Sequence, residues 1–162
     1  MQDISAAVRA DDALEIIAFL LNDQQFAVRT TAIREIRGWA PVTPIPHTPP
    51  DVLGVMNLRG TVIPIIDLSA KLGMPPAEAS ERSAIVVTSV KGKTIGMMVD
   101  RVSDILTVSA ADLQPVPAAA GLATTGYAEG IFAREKMMIC FLNLDAIFAT
   151  AEPEEWGVEA ET

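Results

Sequence analysis

The residues that could do covalent chemistry in this chain are few, and each lacks the company it would need. The one histidine, His47, is set among prolines in Ile45-Pro46-His47-Thr48-Pro49-Pro50. A nucleophile needs a base within hydrogen-bond reach and a third group to orient that base, and a lone loop histidine supplies neither. The one cysteine, Cys140, lies in the apolar run Met138-Ile139-Cys140-Phe141-Leu142, where a thiol behaves as a small hydrophobe. It can form no internal disulfide and no zinc cluster by itself, so a reducing, intracellular setting is expected. Asp67 and Asp100 are carboxylates flanked by apolar strand residues, yet both fall where strands end. There a carboxylate caps a turn more readily than it works as an acid or base. No Gly-rich loop leads into Lys-Ser or Lys-Thr, and no GxGxxG opens a helix. The expectation is a non-enzyme, with no metal and no cofactor.

Charge narrows the partners. The chain has 162 residues, a net charge of -9 and a pI near 4.5, whereas a nucleic-acid partner calls for clustered Lys and Arg. No nucleic acid is expected. The charge is also uneven. Residues 150–162, read as an acidic flexible tail, hold Glu152, Glu154, Glu155, Glu159 and Glu161 and no base. Between Arg29 and Arg59 the arginines Arg29, Arg34, Arg37 and Arg59 outnumber the acids Glu35 and Asp51, which makes that segment the expected place for a charge-guided contact. The longest clean apolar runs are about five residues, too short to span a membrane. No apolar stretch precedes Asp3, Asp11 and Asp12, so a signal peptide is not expected. The protein is expected to be cytoplasmic, with no direct membrane insertion.

The elements that would position these residues are mostly strands. Residues 1–13 read as a flexible arm. Ile16 to Leu21, a polar turn at Asn22-Asp23-Gln24, and Phe26 with Val28 on one face form the first hairpin. A helical turn over Thr30 to Arg34 leads through Glu35-Ile36-Arg37-Gly38 into a loop with five prolines between Pro41 and Pro50. Val52 to Leu58 and Thr61 to Ile66 form a hairpin around Arg59-Gly60, and Asp67 caps a short helix that ends at Gly73. Ala84 to Val90 and Thr94 to Val99 flank Lys91-Gly92-Lys93, and Asp104 to Val108 follows. Tyr127 to Phe132 and Lys136 to Leu142 pair around Arg134-Glu135, and Asn143 caps a last helix.

This order runs twice. A shift of 69 positions lays Ile16-Ile17-Ala18-Phe19 on Ile85-Val86-Val87-Thr88 and Ile33-Arg34-Glu35-Ile36 on Val102-Ser103-Asp104-Ile105. A shift of 76 then lays Gly54-Val55-Met56 on Gly130-Ile131-Phe132 and Ile65-Ile66-Asp67-Leu68 on Phe141-Leu142-Asn143-Leu144. The difference is absorbed in the Ala/Pro-rich stretch from Pro115 to Thr125, as a loop insertion should be. About ten short strands in two similar units point to mainly β architecture with two five-stranded barrels. With half its residues apolar, the chain has enough hydrophobic surface for the barrels to pack on one another, and the seam between them is the expected binding place.

Three stretches carry a family resemblance. Glu35-Ile36-Arg37-Gly38, then Thr48-Pro49, then Gly54-Val55-Met56-Asn57-Leu58-Arg59-Gly60-Thr61-Val62-Ile63-Pro64-Ile65-Ile66-Asp67-Leu68 resemble the bacterial chemotaxis coupling protein family CheW. Gly96-Met97-Met98-Val99-Asp100-Arg101-Val102-Ser103-Asp104-Ile105 looks like that family's second-barrel segment. The resemblance covers residues 14–149. It implies two intertwined five-stranded, SH3-like β-barrels with short helices, barrel 1 over about 15–72 and barrel 2 over about 83–148. It also implies a scaffold joining the cytoplasmic tip of chemoreceptors to the CheA histidine kinase, and recruitment to membrane-bound receptor arrays. Neither a kinase ATP-binding region nor a receiver domain fits in this length, so a stand-alone coupler is expected.

Carried over by motif, the receptor-binding groove comprises Ile33, Glu35, Gly54, Leu58 and Arg59 from the first unit and Val86, Gly96 and Ile105 from the second. Its floor is expected from Ile33, Leu58, Val86 and Ile105, with Glu35 and Arg59 setting register by charge. The chain departs from the family pattern at Trp39 and in the Ala118-Ala119-Ala120 loop, and no kinase-binding surface is assigned. The alternative is a small-ligand-binding or other interaction β-barrel unrelated to chemotaxis, which would need convergent polar groups in a pocket.

Overall fold

The computed structural model describes residues 13–117, 126–134 and 137–148, with no statement made for the Arg134 side chain. The expected arm, the Ala118-Ala119-Ala120 loop, the Glu135 turn and the acidic tail thus lie outside the described residues, apart from Ala13. Among those described, the strands are β1 (Ala13–Leu21), β2 (Gln24–Arg29), β3 (Ile33–Gly38), β4 (Val52–Leu58), β5 (Thr61–Asp67), β6 (Ala84–Val90), β7 (Lys93–Val99), β8 (Arg101–Ser109), β9 (Ala128–Arg134) and β10 (Met137–Leu142). Helix α1 (Leu68–Lys71) follows β5, and α2 (Leu144–Ile147) follows β10. Two segments read as loop or part-strand are fuller strands: β3 continues through Gly38 by pairing with β6, and β8 starts at Arg101 by pairing with β1.

Three hairpins turn on two residues with positive φ: Asn22 and Asp23 at 51° and 66°, Arg59 and Gly60 at 52° and 89°, and Lys91 and Gly92 at 54° and 80°. Such turns match the right-handed twist of the strands they join.

The strands assemble into two five-stranded sheets, ordered β8-β1-β2-β10-β9 and β3-β6-β7-β5-β4. This corrects the expectation that residues 15–72 and 83–148 each close a barrel of their own. Each half of the chain instead gives its first two strands to one sheet and its last three to the other. The reason lies in two parallel pairings, β2 with β10 and β5 with β7. A parallel neighbour cannot come from a hairpin and must arrive by a long connection, and here it arrives from the other half. The barrels are SH3-like and interlocked. Each sheet's outer strands are tied by a bridge, Thr43 to Val55 in one and Gln114 to Ile131 in the other.

The core has three parts. Met56, Ile63, Ile65, Ile85 and Val87 fill the barrel containing β3 to β7, and Ile16, Ala27, Val108, Phe132, Ile139 and Phe141 fill the other. Between the barrels lies a larger shared core, to which Ile17, Phe19 and Leu21 come from one sheet and Ile66, Val86 and Met97 from the other. Central strands are therefore buried on both faces, which explains why they read as unbroken apolar runs instead of alternating ones. A side chain fully buried in this way contributes about 1.5–3 kcal/mol.

The helices are pinned as expected. The Asp67 carboxylate accepts from Ala70 N at 3.4 Å and from Ala77 N at 3.1 Å, so it caps α1 and holds the connection toward β6. Asn143 Oδ1 accepts from Ala146 N at 3.1 Å and caps α2. The backbone repeats too: Asp67 N donates to Asp51 O at 2.8 Å, and Asn143 N to Tyr127 O at 2.7 Å.

Candidate partner-binding site

Arg59 stands at the first position of the β4–β5 turn, in left-handed conformation, with Asn57 Oδ1 accepting from Gly60 N at 2.8 Å behind it. The turn thus aims the guanidinium back across the sheet end toward β3. There it forms a charge-assisted pair with Glu35, through Arg59 Nη2 to Glu35 Oε1 and Arg59 Nη1 to Glu35 Oε2 at 3.5 Å. Arg37 Nη1 donates to the same Oε2 at 3.2 Å. The bond from Arg59 holds the Glu35 carboxyl below the usual carboxylate range despite some desolvation, with Arg37 assisting, and the same pairing raises Arg59.

The pair borders a cleft of about 340 Å³ lined by Arg34, Glu35, Leu58, Arg59, Thr61, Ile63, Val87 and Thr94. Its floor is apolar and belongs to the barrel interior, since Ile63 and Val87 are buried there and Leu58 packs against them. Its rim is cationic. Arg34 and Arg59 are exposed, Glu35 offsets one charge, and Lys91 and Lys93 are exposed on the hairpin that leads to Thr94. Arg29, counted with this cluster in the sequence, is elsewhere: it pairs with Glu129 at 3.2 Å and lies 5.0 Å over the Phe141 ring.

Glu35, Leu58 and Arg59 are therefore brought together, while the other expected groove residues are dispersed. Val86 is wholly buried in the shared core and Ile33 packs against that core. Neither forms a groove floor with Leu58. Ile105 is 58% exposed on β8, in the other sheet. The cleft is thus the open end of one barrel rather than the seam between the two. Its floor uses Val87 where Val86 was expected, a one-residue difference that reverses the face of a strand. Ile63 and Val87 were missed because Ala84 to Val87 and Ile63 to Ile66 are buried at every position and present no alternation to read.

Gly54 and Gly96 serve packing. A Cβ on Gly54 would lie 2.2 Å from Thr43 O, and one on Gly96 would lie 2.6 Å from Ile65 Cδ1. His47 lies in the proline loop at a φ of 66°. Cys140 is half-buried, and burial pushes its thiol up to about 11. No group of three His, Cys, Asp or Glu side chains among the described residues is placed to hold a metal. No helix among them is long and apolar enough to cross a membrane.

A mainly β fold of interlocked barrels, with a charged pair at the mouth of one and no assembled catalytic set among the described residues, describes a protein-interaction module. The CheW-like domain family model matches residues 15–152, and the chain belongs to that family of chemotaxis proteins. It is 52% identical over 140 residues to the chemotaxis protein CheW of Rhizobium meliloti, covering 86% of this chain and 90% of that one. It is 31% identical over 138 residues to the chemotaxis protein CheW of Klebsiella aerogenes, covering 85% and 83%. Among solved structures it matches the scaffolding protein TtCheW from Thermoanaerobacter tengcongensis with a TM-score of 0.77 and 28% identity, over 83% of this chain and 87% of the other.

Proposed function

We propose that this chain is a non-catalytic adaptor that couples the cytoplasmic tip of chemoreceptors to the CheA histidine kinase, and that the receptor helix docks at the Arg59 cleft. Recruitment of the protein to membrane-bound arrays then follows from its partners. The observation that carries the reading is the Glu35–Arg59 pair on the rim of an apolar floor made by Leu58, Ile63 and Val87. An amphipathic helix buries its apolar stripe in such a floor, while rim charges choose its register. Because Glu35 is already held by two arginines, the rim is ordered before the partner arrives, which lowers the entropy cost of docking.

The test is co-sedimentation with receptor-tip fragments and CheA. The parent protein should recruit kinase into a ternary complex with receptor. Arg59→Ala and Glu35→Ala should keep the fold, by circular dichroism, and weaken receptor binding at least about tenfold, within the range for charges buried at an interface. Arg134→Ala, in the corresponding hairpin of the second half, should bind much like the parent. Wild-type affinity in the Arg59→Ala protein would overturn the placement. Failure of the parent to enter a ternary complex would overturn the coupling reading itself.

A further inference from the structure

The cleft is the one strongly basic rim described in a chain of net charge -9, and the same chain carries a segment with complementary chemistry. Residues 150–162 hold Glu152, Glu154, Glu155, Glu159 and Glu161, no base, and an aromatic, Trp156, in their middle. We propose that this acidic segment docks in the Arg59 cleft of its own chain, with its glutamates on the Arg34, Arg59 and Lys93 rim and Trp156 over Leu58, Ile63 and Val87. It then competes with the receptor helix. The regulatory part of this proposal rests on the receptor reading above, whereas the contact itself does not.

Reach and chemistry both fit. Phe148 lies beside α1, with Lys71 Nζ 5.9 Å from its ring centroid, and α1 follows directly from the far end of β5. Strand β5 has seven residues between the cleft at Thr61 and Asp67, about 20–23 Å at the rise of an extended strand. From Phe148, residues 154–156 reach about 20–27 Å when extended, and Glu159 and Glu161 reach further. The acids can therefore arrive at the rim without disturbing the barrel. A tryptophan supplies a large apolar face with few rotatable bonds and stacks well on guanidinium groups. Glu35 leaves Arg34 and the hairpin lysines without a described carboxylate partner, so cationic charge remains for the segment to meet.

The test uses the full chain with Cys140→Ala and a nitroxide spin label on Val158→Cys. Amide signals of Leu58, Arg59, Gly60 and Thr94 should broaden at about 20 mM salt and recover at about 500 mM, where the screening length has become short. They should also recover when Glu152, Glu154, Glu155 and Glu159 are changed to Gln. No broadening at low salt overturns the contact. Broadening of unlabelled, isotope-enriched protein by labelled protein in a mixed sample, with none within one chain, overturns it in favour of a second copy. In the label-free protein, the same Glu→Gln changes should tighten receptor-tip binding about three- to tenfold at low salt, set by how often the cleft is occupied. Equal affinities would overturn the competition. Receptor binding that ignores Arg59→Ala, while the segment's broadening depends on Arg59, would remove the receptor reading and leave the contact standing.

Discussion

Gly54 and Gly130, 76 residues apart, meet the same steric demand in the two barrels. A Cβ on Gly54 would sit 2.2 Å from the Thr43 carbonyl oxygen, and one on Gly130 would sit 2.5 Å from the Gln114 carbonyl oxygen. Each glycine lets the segment beyond an edge strand cross close enough to bridge the next residue, Val55 or Ile131. Gly54 also adopts a φ of 149°, a conformation that L side chains rarely take. Gly54→Ala should therefore cost about 3–5 kcal/mol, from overpacking plus backbone strain. Gly130→Ala, with the clash alone and part of it against the Leu113 side chain, should cost about 1–3 kcal/mol. Urea denaturation of the two variants would show the order, and equal costs would contradict it.

The reciprocal exchange of strands makes the halves mutually dependent. A chain cut between Glu78 and Ala79, in the exposed stretch connecting α1 to β6, should give two fragments that are unfolded separately. Each lacks two or three strands of both sheets. Mixing them at equal concentration should restore the dispersed amide spectrum of the intact protein. A fragment that folds alone would contradict the interlocked topology.

Glu35 supplies a spectroscopic reporter of the cleft. Its carboxyl should titrate below the ordinary carboxylate range, chiefly because Arg59 bonds to its charged form. The pairing contributes above the unfolded-state value and is lost as pH falls through the lowered value. Arg59→Ala should move the side-chain carbon titration midpoint upward, toward the ordinary range. An unmoved midpoint would mean that Arg59 does not hold Glu35 in solution.

Asp67 works in the opposite sense. Burial raises its pKa above the ordinary 3.8, Asp100 adds to the rise, and the bonds from Ala77, Ala70 and Ser69 N–H oppose it. A raised carboxyl contributes stability that is present below the unfolded-state value and lost as pH rises through the folded value. The difference in unfolding free energy between the parent and Asp67→Asn should therefore shift in favour of the variant as pH rises through that window. Asn143 already caps α2 with an amide at the corresponding position. Asp67→Ala, which removes the cap, should cost about 1 kcal/mol at neutral pH.

Cys140 should be slow to react. With its thiol pushed up to about 11 by burial, little thiolate exists at pH 8, and the thiolate is the reacting form. Modification by a disulfide reagent should speed up strongly on addition of denaturant. Fast labelling of the folded protein would contradict the burial.

Much of this protein is written locally. The turns at Asn22-Asp23, Arg59-Gly60 and Lys91-Gly92, the caps Asp67 and Asn143, and the doubled order of strands all follow from short-range chemistry: positive φ, side-chain acceptors and β-branched runs. The Glu-Ile-Arg-Gly and Asn-Leu-Arg-Gly motifs, which carry the family, also placed Glu35 and Arg59 in the candidate site. Tertiary structure decided which half supplies each strand, because the parallel pairs β2–β10 and β5–β7 join residues more than 25 positions apart through no local signal. It also decided that Val87 faces the cleft and Val86 the shared core, and that Ile105 stands on the other sheet. A strand buried on both faces has no alternation to betray its orientation, and only the packing of two sheets on it settles which side is which.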